Sequence, residues 1–289
     1  MAGHAFTRPN TKYVLSLGGG AARGIVGNFL VIYLLEKLNL LHRFDEIWGV
    51  SAGAVIGAAA ALNFPTSFMI KYINRTRNKD LFEFSVTGLL KNRGFFKTEK
   101  VFSYIDSMYY GKTFTDCKIP FFSLSVEIGN CSEQLTRFSS GSLTEAIVAS
   151  LCLPEIFEPI EIDGKKYVDG GLIENIPSVS VLQHHRETKD ARKLAILAIN
   201  FGETHLESHT LLISKLLNIL DVTRFQLQLD QVQRIRDCSD HASVAMINID
   251  IPIGASDFNK MGSAIIPSFR RLLEKLTAFC DLGEFNCTI

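Results

Sequence analysis

Short apolar runs and longer apolar stretches alternate along the first third of the chain, with glycines at the joints. "KYVLSL" (12–17) is short enough for a strand and ends in glycines. "GIVGNFLVIYLLEKL" (24–38) is apolar on nearly all sides, the pattern of a largely buried helix. "FDEIWGV" (44–50) predicts a second strand and "AGAVIGAAAAL" (52–62) a second buried helix. Strand, helix, strand, helix argues for a mostly parallel central sheet covered on both faces, in an α/β class.

The pattern then loosens. Phe64 to Phe96 holds many aromatics in short pieces, broken by Pro65, Gly88 and Gly94. Residues 97–107 predict a short helix. "IPFFSLSVEI" (119–128) and "EQLTRFSS" (133–140) predict two strands joined by a turn at Gly129 and Asn130. "SLTEAIVASLCLP" opens with Ser142 three residues before Glu145, a capping-box pattern, and Pro154 stops the helix. "PIEIDGKKYVDGG" predicts a hairpin turning at Asp163 and Gly164. "RKLAILAIN" (192–200) and "ASVAMINIDI" (242–251) are further strands, 206–235 a long helical region, and "IIPSFRRLLEKLTAFC" a closing helix. No Pro/Gly/Ser linker and no repeat divides the chain. The expectation is a loose arm over 1–11 and one domain over 12–289.

Composition narrows the classes. Of 289 residues, 47% are hydrophobic and 21% charged, which suits a packed globular protein rather than a disordered one. Thirty basic and thirty acidic side chains cancel, so net charge gives no reason to expect a nucleic-acid partner. The six cysteines (117, 131, 152, 238, 280, 287) form no CxxC pair and read as free thiols of a reducing, cytoplasmic setting. "MAGHAFTRPNTK" lacks a signal-peptide core, although other export routes leave no such mark. The longest uncharged apolar stretch is about four helical turns, short of the roughly 20 residues of a membrane span.

Two joints carry candidate chemistry. "GVSAG" (49–53) fits G-x-S-x-G between a strand and a helix, the setting of a nucleophile elbow. There Gly49 and Gly53 keep side chains out of a sharp turn and Ser51 is thrust out at the sheet's top. The following helix favours negative charge beside it. The competing reading is that Ser51 only caps that helix. "SLGGGAARG" (16–24) also joins a strand to a helix, and consecutive glycines allow a nest of backbone N–H groups. Such a nest suits a phosphate or an acyl oxyanion. Arg23 stands where a dinucleotide fingerprint needs its third glycine, and no G-x-x-x-x-G-K-[ST] occurs. Adjacent parallel strands would bring both joints to one sheet edge, turning the amides of Gly19, Gly20 and Ala21 toward Ser51. Arg23 would hold the loop, meet a lipid phosphate, or form an ordinary salt bridge.

A serine nucleophile needs a base. His4, His42, His184, His185, His205, His209 and His241 have no local pattern that marks one of them; His184 and His185 read as a solvated helix end. "VDGG" (168–171) differs: Asp169 leaves an extended piece and Gly170 and Gly171 let the backbone approach another segment. A carboxylate within hydrogen-bond reach serves as a base directly. The competing reading is a turn aspartate bonded to its own backbone.

"GGGAARG" (18–24), "GVSAG" (49–53) and "DGG" (169–171), with "ASLCLPEIFEPI" (149–160) before the last, together resemble the patatin-like phospholipase family over roughly residues 12–178. The resemblance implies a three-layer α/β/α fold and a serine–aspartate dyad, with Ser51 as nucleophile and Asp169 as base. It implies an oxyanion hole of Gly19, Gly20 and Ala21, supported by Gly18, Arg23, Gly24, Gly49, Gly53, Gly170 and Gly171. It implies a lipid acyl hydrolase working on phospholipids or related esters, without metal or cofactor. A thioesterase or acyltransferase using the same serine, and a catalytically weak lipid-binding or interaction protein, are the alternatives.

For a bilayer substrate, peripheral membrane contact is expected. "DLFEFSVTGLLKNRGFF" (80–96) carries four phenylalanines among Lys79, Lys91 and Arg93, a mix suited to a lid or interfacial edge, or to core packing. The helical stretch 209–229 is a second candidate, better suited to a core or dimer face. Oligomeric state is not legible.

Overall fold

The apolar runs pair into one eight-stranded sheet in the computed structural model of the chain. The structure describes residues 10–86, 88, 94–129, 133–201 and 242–281, with the side chains of the last helix described to Leu273. Residues 1–9 of the expected arm, the helical region 206–235, Asn130, and His4, His205, His209 and His241 lie outside the described residues.

The strands are β1 (Thr11–Leu17), β2 (Glu46–Gly49), β3 (Phe121–Ile128), β4 (Glu133–Phe138), β5 (Ile160–Ile162), β6 (Lys165–Asp169), β7 (Lys193–Phe201) and β8 (Ala242–Ile249). Their order is β5-β6-β3-β2-β1-β7-β8, with β4 also on β3. β3, β2, β1, β7 and β8 run parallel. β4, β5 and β6 pair antiparallel, so the sheet is mixed. Both predicted hairpins are there, β3–β4 and β5–β6.

The helices are α1 (Ala21–Lys37), α2 (Ala52–Ala61), α3 (Thr66–Arg75), α4 (Asn78–Leu81), α5 (Thr98–Tyr109), α6 (Leu143–Leu151), α7 (Val179–Glu187) and α8 (Met261–Asp281). α2 is buried at every position, as its alanine-rich sequence demands. α6 is capped as its sequence predicts: the Glu145 N–H donates to Ser142 Oγ at 3.3 Å. Among the described residues the aromatic middle includes α3 and α4, which were not expected. α3 buries Thr66, Met69 and Ile73 and leaves Ser67, Lys71, Asn74 and Arg75 exposed, a one-sided pattern that the aromatics obscure.

Side chains of the sheet alternate between two cores. Leu15, Leu17 and Ile47 join Phe29, Val55 and Ile105 in the larger one. Val14, Trp48, Val50 and Leu124 join Val181 and Leu182 of α7 in the other. Burial on both faces explains why the strand sequences are runs of apolar residues rather than alternations. The arrangement is α/β/α. It also corrects the reading of α7's end as solvated. His185 is buried, and His184 packs on Trp48 and Phe122 with ring centroids 5.4 and 5.0 Å away.

Candidate active site

β2 stops at Gly49 and α2 begins at Ala52, so the turn is made by Val50 and then Ser51. Its backbone has φ 53° and ψ −119°, a conformation that side chains rarely adopt and that persists only where the surroundings enforce it. They do. The Ser51 N–H donates to Ser150 Oγ at 2.8 Å, and the Ser150 hydroxyl donates to the Leu124 carbonyl at 2.6 Å. The Val50 N–H donates to Leu17 O at 3.1 Å and the Gly53 N–H to Val50 O at 2.8 Å. Gly53 lies so close to the end of β1 that a Cβ there would collide with the Leu17 carbonyl, and one on Gly49 would come within 2.5 Å of Gly53 O.

The glycine loop reaches the same edge, because β1 pairs parallel to β2 with Leu17 beside Gly49. Gly18 is held on both sides: its N–H donates to Ile199 O at 3.1 Å, and its carbonyl accepts from Asn28 Nδ2 at 2.9 Å. The Gly24 N–H donates back to Gly20 O at 3.0 Å, and Gly24 packs against Ala52. Ala21 adopts φ 48°. The Gly19 N–H donates to Asn175 O at 3.0 Å. The N–H groups of Gly20 and Ala21 make no hydrogen bond to the described residues. Arg23 is buried in the first turn of α1.

Asp169 arrives from the opposite direction. β4 runs along one edge of β3 from Ser123 to Ile128. The other edge is shared. Ser123 pairs with Gly49 of β2, and Ser125 pairs with Asp169 of β6. β2 and β6 therefore meet end to end, two residues of β3 apart, which is roughly 7 Å of strand. Gly170 stands in that gap, where a Cβ would lie 2.6 Å from the Leu124 carbonyl carbon. The Asp169 N–H donates to Cys152 O at 2.9 Å. One segment at the end of α6 thus holds both candidates, Ser51 through Ser150 and Asp169 through Cys152.

The aspartate is fully buried, and its Oδ1 accepts the Gly171 N–H at 2.7 Å. Its loop is fastened by Glu174. The Glu174 N–H donates to Gly170 O at 3.0 Å. Its carboxylate accepts from Val179 N (2.6 Å), Ser180 N (3.1 Å) and Ser180 Oγ (2.5 Å) at the start of α7. Burial pushes the Glu174 carboxyl pKa up, against those hydrogen bonds.

Ser51 lines an apolar channel with a free volume of about 100 Å³, walled by residues of α2, α3 and α5. Ala21, Val55, Met69, Ile73, Val101, Ile105 and Phe82 are among its walls, with Thr76 and Tyr104 the main polar interruption. The described histidines stand elsewhere. His42 is in the turn before β2, and His184 lies 3.7 Å from Glu46, at the far end of β2 from the elbow. Burial lowers the His184 pKa.

Residues 15–181 match the family described as Patatin-like phospholipase. The chain belongs to that family. An uncharacterised NTE family protein of Mycobacterium tuberculosis is 25% identical over 172 residues, 59% of this chain and 45% of its own. A probable lipid hydrolase of Invertebrate iridescent virus 6 is 22% identical over 214 residues, 66% of this chain and 71% of its own. The chain thus spans under half the length of the mycobacterial relative. VipD from Legionella pneumophila superposes with a TM-score of 0.55 at 14% identity, over 93% of this chain and 67% of that one, a likeness of fold.

The patatin-like fold brings Ser51, the glycine loop and Asp169 to one sheet edge. Ser150, Glu174, Asn28 and Asn175 were not singled out from the sequence. Asn28 had a signal: it is the one polar residue within the apolar run 24–35. Ser150 lies inside the quoted segment 149–160, but nothing local ties it to a residue 99 positions away.

Proposed function

We propose that this chain is a serine lipid acyl hydrolase that cleaves fatty acyl esters of phospholipids, of phospholipase A or lysophospholipase type, with residues 12–289 acting as one catalytic unit. The observation that carries the reading is the position of Ser51, on an enforced turn in the wall of an apolar channel. A helix cap needs neither the strained backbone nor the channel. An acyl ester needs both, a protruding hydroxyl and a dry groove for the chain. The relatives named as a lipid hydrolase and as a lysophospholipase of Cryptococcus neoformans fit the same substrate class, although the chain covers only 10% of the latter.

In the proposed cycle Asp169 accepts the Ser51 proton as Oγ attacks the ester carbonyl. The electron pair moves onto the carbonyl oxygen, which the glycine loop receives. Of the three loop amides, Gly20 and Ala21 are open to it in this structure, while that of Gly19 is engaged. The intermediate collapses, the bond to the glycerol oxygen breaks, and Asp169 returns its proton to that oxygen. Lysolipid leaves and the acyl group stays on Ser51. Water then gives a proton to Asp169 and attacks the acyl carbon, and the fatty acid departs as Ser51 regains its proton. The buried Arg23 supports the loop rather than meeting a bilayer phosphate. Phe84 and Val86 of the oily segment, and Leu172 and Ile173 beside the Asp169 loop, are exposed apolar groups available to a lipid surface.

The test is product analysis by mass spectrometry after incubation with vesicles of mixed phospholipids, with Ser51→Ala as control. Free fatty acid and lysolipid from the wild type and none from the variant are expected. Equal release by both proteins, or none by either, would refute the reading.

A further inference from the structure

The Asn175 side chain stands against the nucleophile. The residue is 8% exposed. Its backbone carbonyl receives the Gly19 N–H, but its side-chain Oδ1 is buried with no hydrogen-bond partner among the described residues. A Cβ built on Gly19 would overlap that oxygen, and would lie 3.3 Å from Asn175 Cγ and 3.1 Å from Ser51 Cβ. The carboxamide and the serine therefore face each other across a bare Cα. Asn175 is fixed on both sides. Glu174 is tied to Gly170 and to the start of α7, and Ile176 is buried in the smaller core. A buried carboxamide oxygen on a fixed backbone with no partner among the described residues calls for an explanation, and a catalytic role is one.

The same contacts show what is missing at the site. The glycine loop spends the Gly19 amide on Asn175's own carbonyl, leaving two amides at Gly20 and Ala21. Carboxamide side chains serve as oxyanion donors as readily as amides do.

We propose that Asn175 is a catalytic residue whose side-chain N–H donates to the acyl carbonyl oxygen as charge develops there, completing a three-donor site with the Gly20 and Ala21 amides. This role gives Nδ2 to the substrate and leaves Oδ1 beside Gly19. The inference rests on the acyl-hydrolase reading of Ser51.

The test measures kcat and KM separately on a soluble short-chain p-nitrophenyl ester for the wild type, Ser51→Ala, Asn175→Ala and Asn175→Asp, with thermal melting of each. Asn175→Ala is expected to lower kcat about 10²–10³-fold with KM changed less than about threefold. Its melting temperature should hold, because the backbone carbonyl at 175 still receives the Gly19 N–H. Asn175→Asp keeps the shape, removes the donor and should lose at least as much; it decides the matter if the alanine variant does not fold. Either variant retaining kcat within about threefold while Ser51→Ala is inactive would overturn the inference and leave the hydrolase reading standing. A loss confined to KM, or one matched by melting in both variants, would assign Asn175 a structural role and overturn it too. A wild type without esterase activity would overturn both.

Discussion

Gly49 and Asp169 end two strands that meet head to head on one edge of β3, paired with Ser123 and Ser125. The parallel strand cannot continue, because the antiparallel one occupies the next positions. The chain must leave the sheet at Ser51, and the tip of the opposing strand is an aspartate. Gly170 fills the gap against the Leu124 carbonyl. Gly170→Ala is expected to push Asp169 off its register, costing about 2 kcal/mol of stability and at least about tenfold in activity. Denaturant unfolding and ester turnover measure the two.

Ser150 holds the elbow through one hydroxyl that accepts from Ser51 and donates to Leu124. Ser150→Ala leaves the Ser51 N–H buried without its acceptor, a loss of about 1–3 kcal/mol. The expected outcome is a lower melting temperature and a reduced kcat, with restoration of both by Ser150→Thr if its methyl group fits.

The channel predicts selectivity. Val55 lies one turn into α2 and lines the passage from Ser51. Val55→Phe should reduce hydrolysis of palmitoyl esters by at least about tenfold, since a long chain loses its apolar burial. It should leave acetyl or butyryl esters nearly unchanged. A parallel series of p-nitrophenyl esters of increasing length reads this directly.

Glu174 predicts a pH dependence. Burial raises its pKa, so the folded state holds the proton more tightly than the unfolded chain does. That contribution to stability is complete below the ordinary carboxylate range and is lost as pH rises through the raised folded value. Glu174→Gln keeps an acceptor for the Val179 and Ser180 amides and has no charge to bury. Its unfolding free energy should therefore fall less than the wild type's between acid and neutral pH, as measured by denaturant titration.

Much of this was legible because it is local. Strand and helix run lengths in 12–62 and 119–169 follow from apolar spacing, and the three glycine-flanked motifs sit at element joints. α3 was not legible because Phe68 and Tyr72 mask its one-sided burial. The end of α7 misled because two adjacent histidines beside Arg186 and Glu187 look solvated, while the rings of Trp48 and Phe122 that cover His184 come from distant strands. The contacts of Ser150, Glu174 and Asn175 were invisible for the same reason. Each is a polar side chain in an unremarkable local setting whose meaning depends on what the fold sets beside it.

The proposed transfer of the Ser51 proton to the Asp169 carboxylate is tested most directly by the initial rate of fatty acid release by Asp169→Asn. The expected rate is lower by at least about 10³-fold, since an amide of the same shape cannot accept the proton. A variant that releases fatty acid at the wild-type rate would contradict it.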